Sequence, residues 1–195
     1  ALKTSGQFES AKNCFEKILT LNPNFSEARH LLCSLKGETT LTAPDDYITG
    51  LFNQFAHKFD KVLIDELNYH MPKLLSKAVL KHCPENSLGS VLDLGCGTGL
   101  VGSQIRKHCV RLEGVDLSDA MLAQARDKKI YDSLKKNSIK NFLANENLNF
   151  NYFIFSDVFI YIGELSEVFQ LIKYRNAKPG RLAFSTEHFE KNGYK

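Results

Sequence analysis

The sequence has no Cys-x-x-Cys pair, and its five cysteines, at positions 14, 33, 83, 96 and 109, stand apart from any cluster of histidines. Neither a disulfide framework nor a zinc site has its spacing signal, so reduced, buried thiols are the expected state. No apolar run approaches the roughly 18 residues that a membrane span needs, and the amino end lacks the charged-then-apolar layout of a secretory signal. These absences point to a cytoplasmic protein with no membrane partner. Long runs of one charge are missing as well: 25 Lys and Arg are interspersed with 22 Asp and Glu, for a net charge of +3. A nucleic-acid surface concentrates its cations on one face or stretch, so none is expected. What the chain does have is an apolar share of 43%, enough for a packed core, and 195 residues, a length that suits one full domain and a smaller appendage.

The densest signal is residues 91–100, Val-Leu-Asp-Leu-Gly-Cys-Gly-Thr-Gly-Leu. An apolar strand runs into three alternating glycines, Gly95, Gly97 and Gly99, with Asp93 two places before the first. Glycines here omit the side chains that would hold a ligand off the backbone, and they permit the positive φ of a tight strand-to-helix turn. A helix at 101–108 and a second strand at 110–115 follow, ending at Asp116, nineteen residues beyond Gly97. An acid about twenty residues on, at the carboxyl end of the second strand, is placed to accept both ribose hydroxyls of a nucleoside. A dinucleotide fingerprint needs a third glycine at position 100, where Leu100 stands, and a phosphate-binding loop needs Gly-Lys-Ser or Gly-Lys-Thr, which the chain lacks. Asp93 repels an anionic ligand and attracts a cationic amino-acid group. The pattern therefore favours a ligand with a ribose and an ammonium group over one with phosphates.

Residues 91–99, with Gly114-Val115-Asp116-Leu117-Ser118, resemble the class I S-adenosylmethionine-dependent methyltransferases. A more specific likeness is to methyltransferases that carry tetratricopeptide repeats ahead of the catalytic domain. Asp46-Tyr47, Leu51-Phe52, Phe59-Asp60, Asp119-Ala120-Met121-Leu122 and Ser156-Asp157-Val158-Phe159-Ile160-Tyr161 carry it, over almost the whole chain. The resemblance implies a Rossmann-like α/β fold, a doubly wound and mostly parallel sheet, with S-adenosyl-L-methionine as cofactor. Gly95, Gly97 and Gly99 then pass under its methionine and ribose, Asp93 lies near its ammonium group and Asp116 holds its ribose. Cys96, Leu117, Met121, Ser138 and Asp157 complete the implied cofactor contacts. Many relatives have an acid after the third strand for the adenine amino group; the matching place here is Asn137-Ser138. Relatives also continue for a helix and two strands beyond the point that matches Lys195, so the sheet is expected to lack its last strands.

Around this centre the chain divides into a tetratricopeptide-like helical segment (1–43), a lid with connecting helices (44–86) and a cofactor-binding domain (87–195). Gly6, Phe8, Ala11, Phe15 and Pro23 fall at the spacings of the second half of such a repeat, with Ile18 in place of the usual small residue. Asn24 and Glu27 form a capping-box pattern for a helix burying Ala28, Leu31, Leu32 and Leu35, with Gly37 as its stop. One and a half repeats do not bury a solenoid face alone. They offer either a docking surface for a protein partner or a cap on the catalytic domain. Ile48, Leu51, Phe52, Phe55, Phe59 and Val62 recur at helical spacing, and the resemblance implies that this helix closes over the cofactor with Tyr47, Phe55 or Phe59. A helix from about Pro72 leads to the first strand. Ser118 caps a helix to about Lys128 with Met121, Leu122 and Ala125 inward. A weakly marked third strand at 134–137, a fourth at 152–156, a helix at 164–174 and a fifth strand at 181–185 complete an alternating order that means a parallel sheet covered on both faces.

Methyl transfer from a sulfonium is an in-line displacement with an activated donor, which requires no metal and no covalent intermediate. A general base matters where the acceptor must lose a proton, and Asp157, Tyr161 and His188 are the candidates. The acceptor is a small molecule or a protein side chain: Ser156-Asp157-Val158-Phe159 lacks the prolines of amino-methylating DNA enzymes, and no proline precedes any cysteine. Two other readings stand beside the enzyme: a partner-binding adaptor on a non-catalytic methyltransferase fold, and an aminopropyl transferase on a similar fold.

Overall fold

The structure, a computed structural model, describes residues 7–38, 42–83 and 87–186. Five strands, β1 (Gly89–Leu94), β2 (Cys109–Asp116), β3 (Ser133–Lys136), β4 (Tyr152–Phe155) and β5 (Arg181–Phe184), form one sheet in the order β3-β2-β1-β4-β5. Every pairing is parallel. The helices are α1 (Phe8–Leu21), α2 (Ser26–Lys36), α3 (Asp45–Phe55), α4 (Phe59–Lys61), α5 (Met71–Lys81), α6 (Leu100–Ile105), α7 (Asp119–Asp127), α8 (Ile139–Asn145), α9 (Phe159–Ile162) and α10 (Ser166–Arg175).

Successive strand residues point to opposite faces, and both faces are covered. Leu92, Leu94, Phe153 and Phe155 pack with Phe142 and Leu143 of α8 and Val168 and Ile172 of α10. Val91, Leu112, Tyr152 and Ile154 pack on the other face with Leu75 and Val79 of α5 and Val101 and Ile105 of α6. Two-sided burial explains why β1 and β4 read as nearly unbroken apolar runs, each buried large side chain contributing about 1.5–3 kcal/mol. Asp93 belongs to the Val91 face and is 1% exposed, so a carboxylate occupies a core position at the end of the central strand.

The order of the strands positions the site. From β1 the chain steps outward through β2 to β3, then crosses back to lay β4 on the other side of β1. At that reversal the connections leave on opposite faces and open a crevice at the carboxyl ends of the strands.

Outside the sheet the structure refines the sequence reading. α1 and α2 pack together with Ala11 and Ala28, 3% and 1% exposed, where the helices meet. Gly37 closes α2 in the left-handed conformation at φ +73°, as its place after the apolar pattern suggests. The capping box does not form: Phe25, not Asn24, is the N-cap, and the Asn24 N–H donates to Asn22 Oδ1 at 3.3 Å. A local side-chain turn at Asn22 competes successfully with the cap. Gly6 lies outside the described residues. The long helix expected from residue 45 is broken into α3, a 3₁₀ turn (Ala56–Lys58), α4 and a π-helical turn (Val62–Glu66), and Ile48, Phe52, Phe59 and Leu63 nevertheless all face one cavity. The short helices α8 and α9 carry no signal that the sequence pattern revealed. The sharpest test of the packing is Phe153, fully buried in β4: Phe153→Ala is expected to lower stability by about 3–5 kcal/mol, read from urea denaturation.

Candidate functional site

The carboxyl ends of β1, β2 and β4 open into a single cavity of about 530 Å³, walled on the far side by α3, α4 and the π-helical turn. Of the sequence-predicted residues, Asp93, Gly95, Cys96, Gly97, Asp116, Leu117, Met121, Ser138, Asp157 and Tyr161 line it. Gly99 does not, and His188 lies outside the described residues; of the aromatic residues expected to close the site, Phe59 lines the cavity and Tyr47 and Phe55 do not.

The three loop glycines do different work. A Cβ on Gly95 would come within 2.5 Å of Val158 Cγ2, and one on Gly99 within 2.9 Å of the Tyr131 ring. Their missing side chains make room for the protein itself. At Gly97, with φ +52°, nothing lies within 4 Å of the absent Cβ, so this residue alone of the three leaves its side-chain space open to the cavity. Cys96 contributes backbone to the wall while its thiol packs inward, where a Cβ on Gly114 would meet it at 2.9 Å. Burial, with the nearby Asp93 and Asp116 carboxylates, pushes that thiol well up.

Asp116 joins two segments. Its Oδ2 accepts the Gly97 N–H at 2.8 Å and its Oδ1 accepts the Ser118 N–H at 2.8 Å, which ties the glycine turn to the start of α7. Ser118 then caps α7 by accepting the Met121 N–H at 3.1 Å. Burial raises the Asp116 carboxyl above its ordinary value, against the lowering effect of the N–H donors of Ser118, Gly97 and Leu117. Asp93 is held differently. Tyr131 donates its hydroxyl to Asp93 Oδ2 at 2.7 Å, with its ring in the space left by Gly99, Gly102 and Gly114. Burial pushes the Asp93 carboxyl up to about 7; the Tyr131 hydrogen bond opposes the rise and the Asp116 charge adds to it.

At the end of β4, Asp157 adopts a left-handed backbone at φ +55°, an uncommon conformation for a residue with a side chain that Asp tolerates better than most. Its N–H donates to Ser185 Oγ at 2.7 Å, and its two carboxylate oxygens accept hydrogen bonds from the hydroxyls of Ser185 and Tyr69. Besides Tyr69, Asn53 and Asp60 attach the lid. Asn53 Oδ1 of α3 accepts from Ser118 Oγ at 2.6 Å, and Asp60 of α4 accepts from Thr98 Oγ1 in the glycine turn and from Lys128 Nζ at 2.6 Å. Phe52 meets Tyr161 edge-on at 5.4 Å between ring centres. Ser138 lines the cavity while its hydroxyl caps α8, accepting the Asn141 N–H at 3.3 Å.

Sequence reasoning missed Tyr69, Tyr131, Thr98 and Asp60. Each acts through a partner distant in the chain, and the one local trace is the extra glycine at 102, which accommodates Tyr131. None of the five cysteines is in a disulfide, and of the thiols expected to be buried only Cys96 is: Cys14 is exposed and Cys33, Cys83 and Cys109 are partly exposed. Among the described residues, no three His, Cys, Asp or Glu side chains gather to hold a metal, and no helix is long and apolar enough to cross a membrane.

A doubly wound parallel sheet with a side-chain-free turn and two carboxylates at its point of reversal defines a ligand-binding α/β protein. A family model described as a methyltransferase domain matches residues 67–192, well over half of the chain, and the chain belongs to that family. A Geobacillus sp. (strain WCH70) protein named as a methyltransferase is 34% identical over 125 residues, covering 61% of this chain and 49% of that protein. The chain thus spans about half the length of that relative. An S-adenosylmethionine-dependent methyltransferase from Clostridium acetobutylicum ATCC 824 superposes with a TM-score of 0.53 at 27% identity, over 69% of this chain and 56% of that one. Magnesium protoporphyrin IX methyltransferase from Synechocystis PCC 6803, solved with its bound methyl donor, shares the fold, with a TM-score of 0.58 at 17% identity over 75% and 77% of the two chains.

The Asp93 shift has a consequence for stability. The unfolded chain loses this proton near pH 4, the folded chain near pH 7. Between those values the folded state holds a proton that the unfolded state does not, so this group makes stability fall as pH rises across the window. Asp93→Asn keeps an acceptor for Tyr131 and is expected to lose that part of the fall. Denaturation midpoints of both proteins across the window check this; identical pH dependence would remove Asp93 as its source.

Proposed function

We propose that the protein transfers a methyl group from S-adenosyl-L-methionine to an acceptor that is a small molecule or a protein side chain. The observation that carries the reading is the open wall at Gly97 between Asp93 and Asp116, in a cavity of about 530 Å³. These residues fit the donor. The Asp116 oxygens accept the Gly97 and Ser118 N–H groups, and with the Leu117 N–H also acting on it the carboxylate, with about four lone-pair sites, keeps capacity for a ribose hydroxyl. Asp93 is an anion-forming group without a cationic partner among its hydrogen bonds, suited to an ammonium group. Leu117, Met121, Asn137 and Ser138 line the β2–β3 side, where a purine would lie.

When bound, S-adenosylmethionine supplies a methyl carbon already activated by its sulfonium. The protein's contribution is placement: holding the acceptor about 3–3.5 Å from that carbon, in line with the leaving sulfur, and excluding water with Phe52, Phe59 and Leu63 of the lid. Asp157 and Tyr161 stand on the acceptor side, where a proton released by the acceptor can be taken up. The α1–α2 pair, with Phe8 and Leu21 exposed, is suited to the half-repeat role, a docking surface for a protein partner.

Titration calorimetry with S-adenosylmethionine is the direct test, and absence of binding would remove the enzyme reading. Asp116→Ala is expected to weaken binding by about 1–3 kcal/mol through the lost ribose hydrogen bonds; an unchanged dissociation constant would count against the assignment. Because Asp93 must be ionised to pair with the ammonium group and its carboxyl stands at about 7 in the free protein, affinity is expected to rise with pH through that value. A flat profile would separate Asp93 from the ammonium group.

A further inference from the structure

The cavity has two halves because the sheet does. β4 lies on the side of β1 away from β2 and β3, so the residues after β4 and the lid residues facing them form a wall that the nucleoside does not use. Its apolar part is Ile48, Leu63 and Ile160; its polar part is Tyr69, Tyr161, Asp157 and, at the rim on the first turn of α3, Asp45.

The charges on this wall have one sign. Four carboxylates, Asp45, Asp93, Asp116 and Asp157, line the whole cavity, and the cation among its described lining residues, Lys140, sits on the Ser138 side and pairs with Glu167 at 2.9 Å. Neither Arg nor His is among the lining residues. An anionic acceptor therefore meets repulsion at both ends of its half. The Asp157 carboxylate is held in place by the Ser185 and Tyr69 hydroxyls, one on each oxygen, and each oxygen keeps capacity for a further donor.

We propose that this half selects an amine with an apolar body as the methyl acceptor, with Asp157 and Asp45 as the residues that specify it; the proposal rests on the methyltransferase reading above. An amine held as its ammonium ion first releases one proton to bulk water and reacts as its free base. Its nitrogen lone pair forms the new N–C bond while the C–S bond breaks and its electron pair leaves on sulfur, and the positive charge moves to nitrogen. The product leaves as the methylated ammonium ion. A fixed carboxylate near the nitrogen favours this displacement because the charge it faces grows as the bond forms. An alcohol acceptor would need that carboxylate as a base, and a carboxylic acid would be turned away.

The test uses the full chain saturated with S-adenosylhomocysteine, so that binding is read without turnover. Calorimetric titrations with 2-phenylethylamine, 2-phenylethanol and phenylacetate compare one carbon body under three charges. The amine is expected to bind about tenfold tighter than the alcohol, the scale of one charge-assisted hydrogen bond, with phenylacetate weakest. Asp157→Asn is expected to erase most of that advantage and leave the alcohol's affinity unchanged. Asp45→Asn, exposed at the rim and removed from the core, is expected to reduce it in the same direction and stands in if the first variant does not fold. Equal affinities for the three probes, undetectable ones included, would overturn the proposal, as would an amine preference that survives in both variants. Failure of S-adenosylhomocysteine itself to bind would instead count against the methyltransferase reading.

Discussion

The site depends on the bond between the Gly97 N–H and the Asp116 carboxylate. It links the ends of two adjacent strands through a backbone donor and a half-buried side-chain acceptor, and so sets the glycine turn relative to α7. The same carboxylate holds the Ser118 N–H, and Ser118 in turn caps α7 and contacts Asn53 of the lid. A chain of hydrogen bonds thus runs from β1 through β2 to the cover of the cavity. Because Asp116 is satisfied by backbone donors, its charge is tolerated in a place where burial works against it.

Asp93 shows the same problem solved with less. A carboxylate in the core face of a central strand has one hydrogen-bonding side chain, Tyr131, and that ring needs three glycines to fit. Gly99, which looks like a ligand-loop residue from its spacing, is required together with Gly102 by an aromatic residue about thirty positions later. The arrangement places at the ligand wall a buried acid whose hydrogen bond comes from a neutral donor, a cost that a function of the acid accounts for.

The sheet was legible in the sequence because its signals are local. Apolar runs bounded by turns located four of the strands, the alternating order supplied the weakly marked third, and the Gly-x-Gly-x-Gly turn with an acid at the proper spacing located the crevice. What was not legible depends on contacts between distant segments. Tyr69 meets Asp157 across eighty-eight positions and Asp60 meets Thr98 across thirty-eight, and no periodicity marks either. The lid carried a helical stripe and yet changes winding three times, since a stripe reports which residues face inward and not how the backbone bends to keep them there. Asn24 failed as a cap because Asn22, two residues earlier, made its own turn with the same backbone.

The central position of β1 also makes the pocket divisible. Much of what meets one side of it comes from residues 93–140, and much of what meets the other comes from residues 156–161, so beneath the lid the two walls share little beyond the glycine turn. Substitutions can accumulate in one wall without disturbing the grip of the other. A lineage can therefore exchange the compound it modifies while keeping its source of the transferred group, and a laboratory selection for a new acceptor has its natural target in that second set of positions.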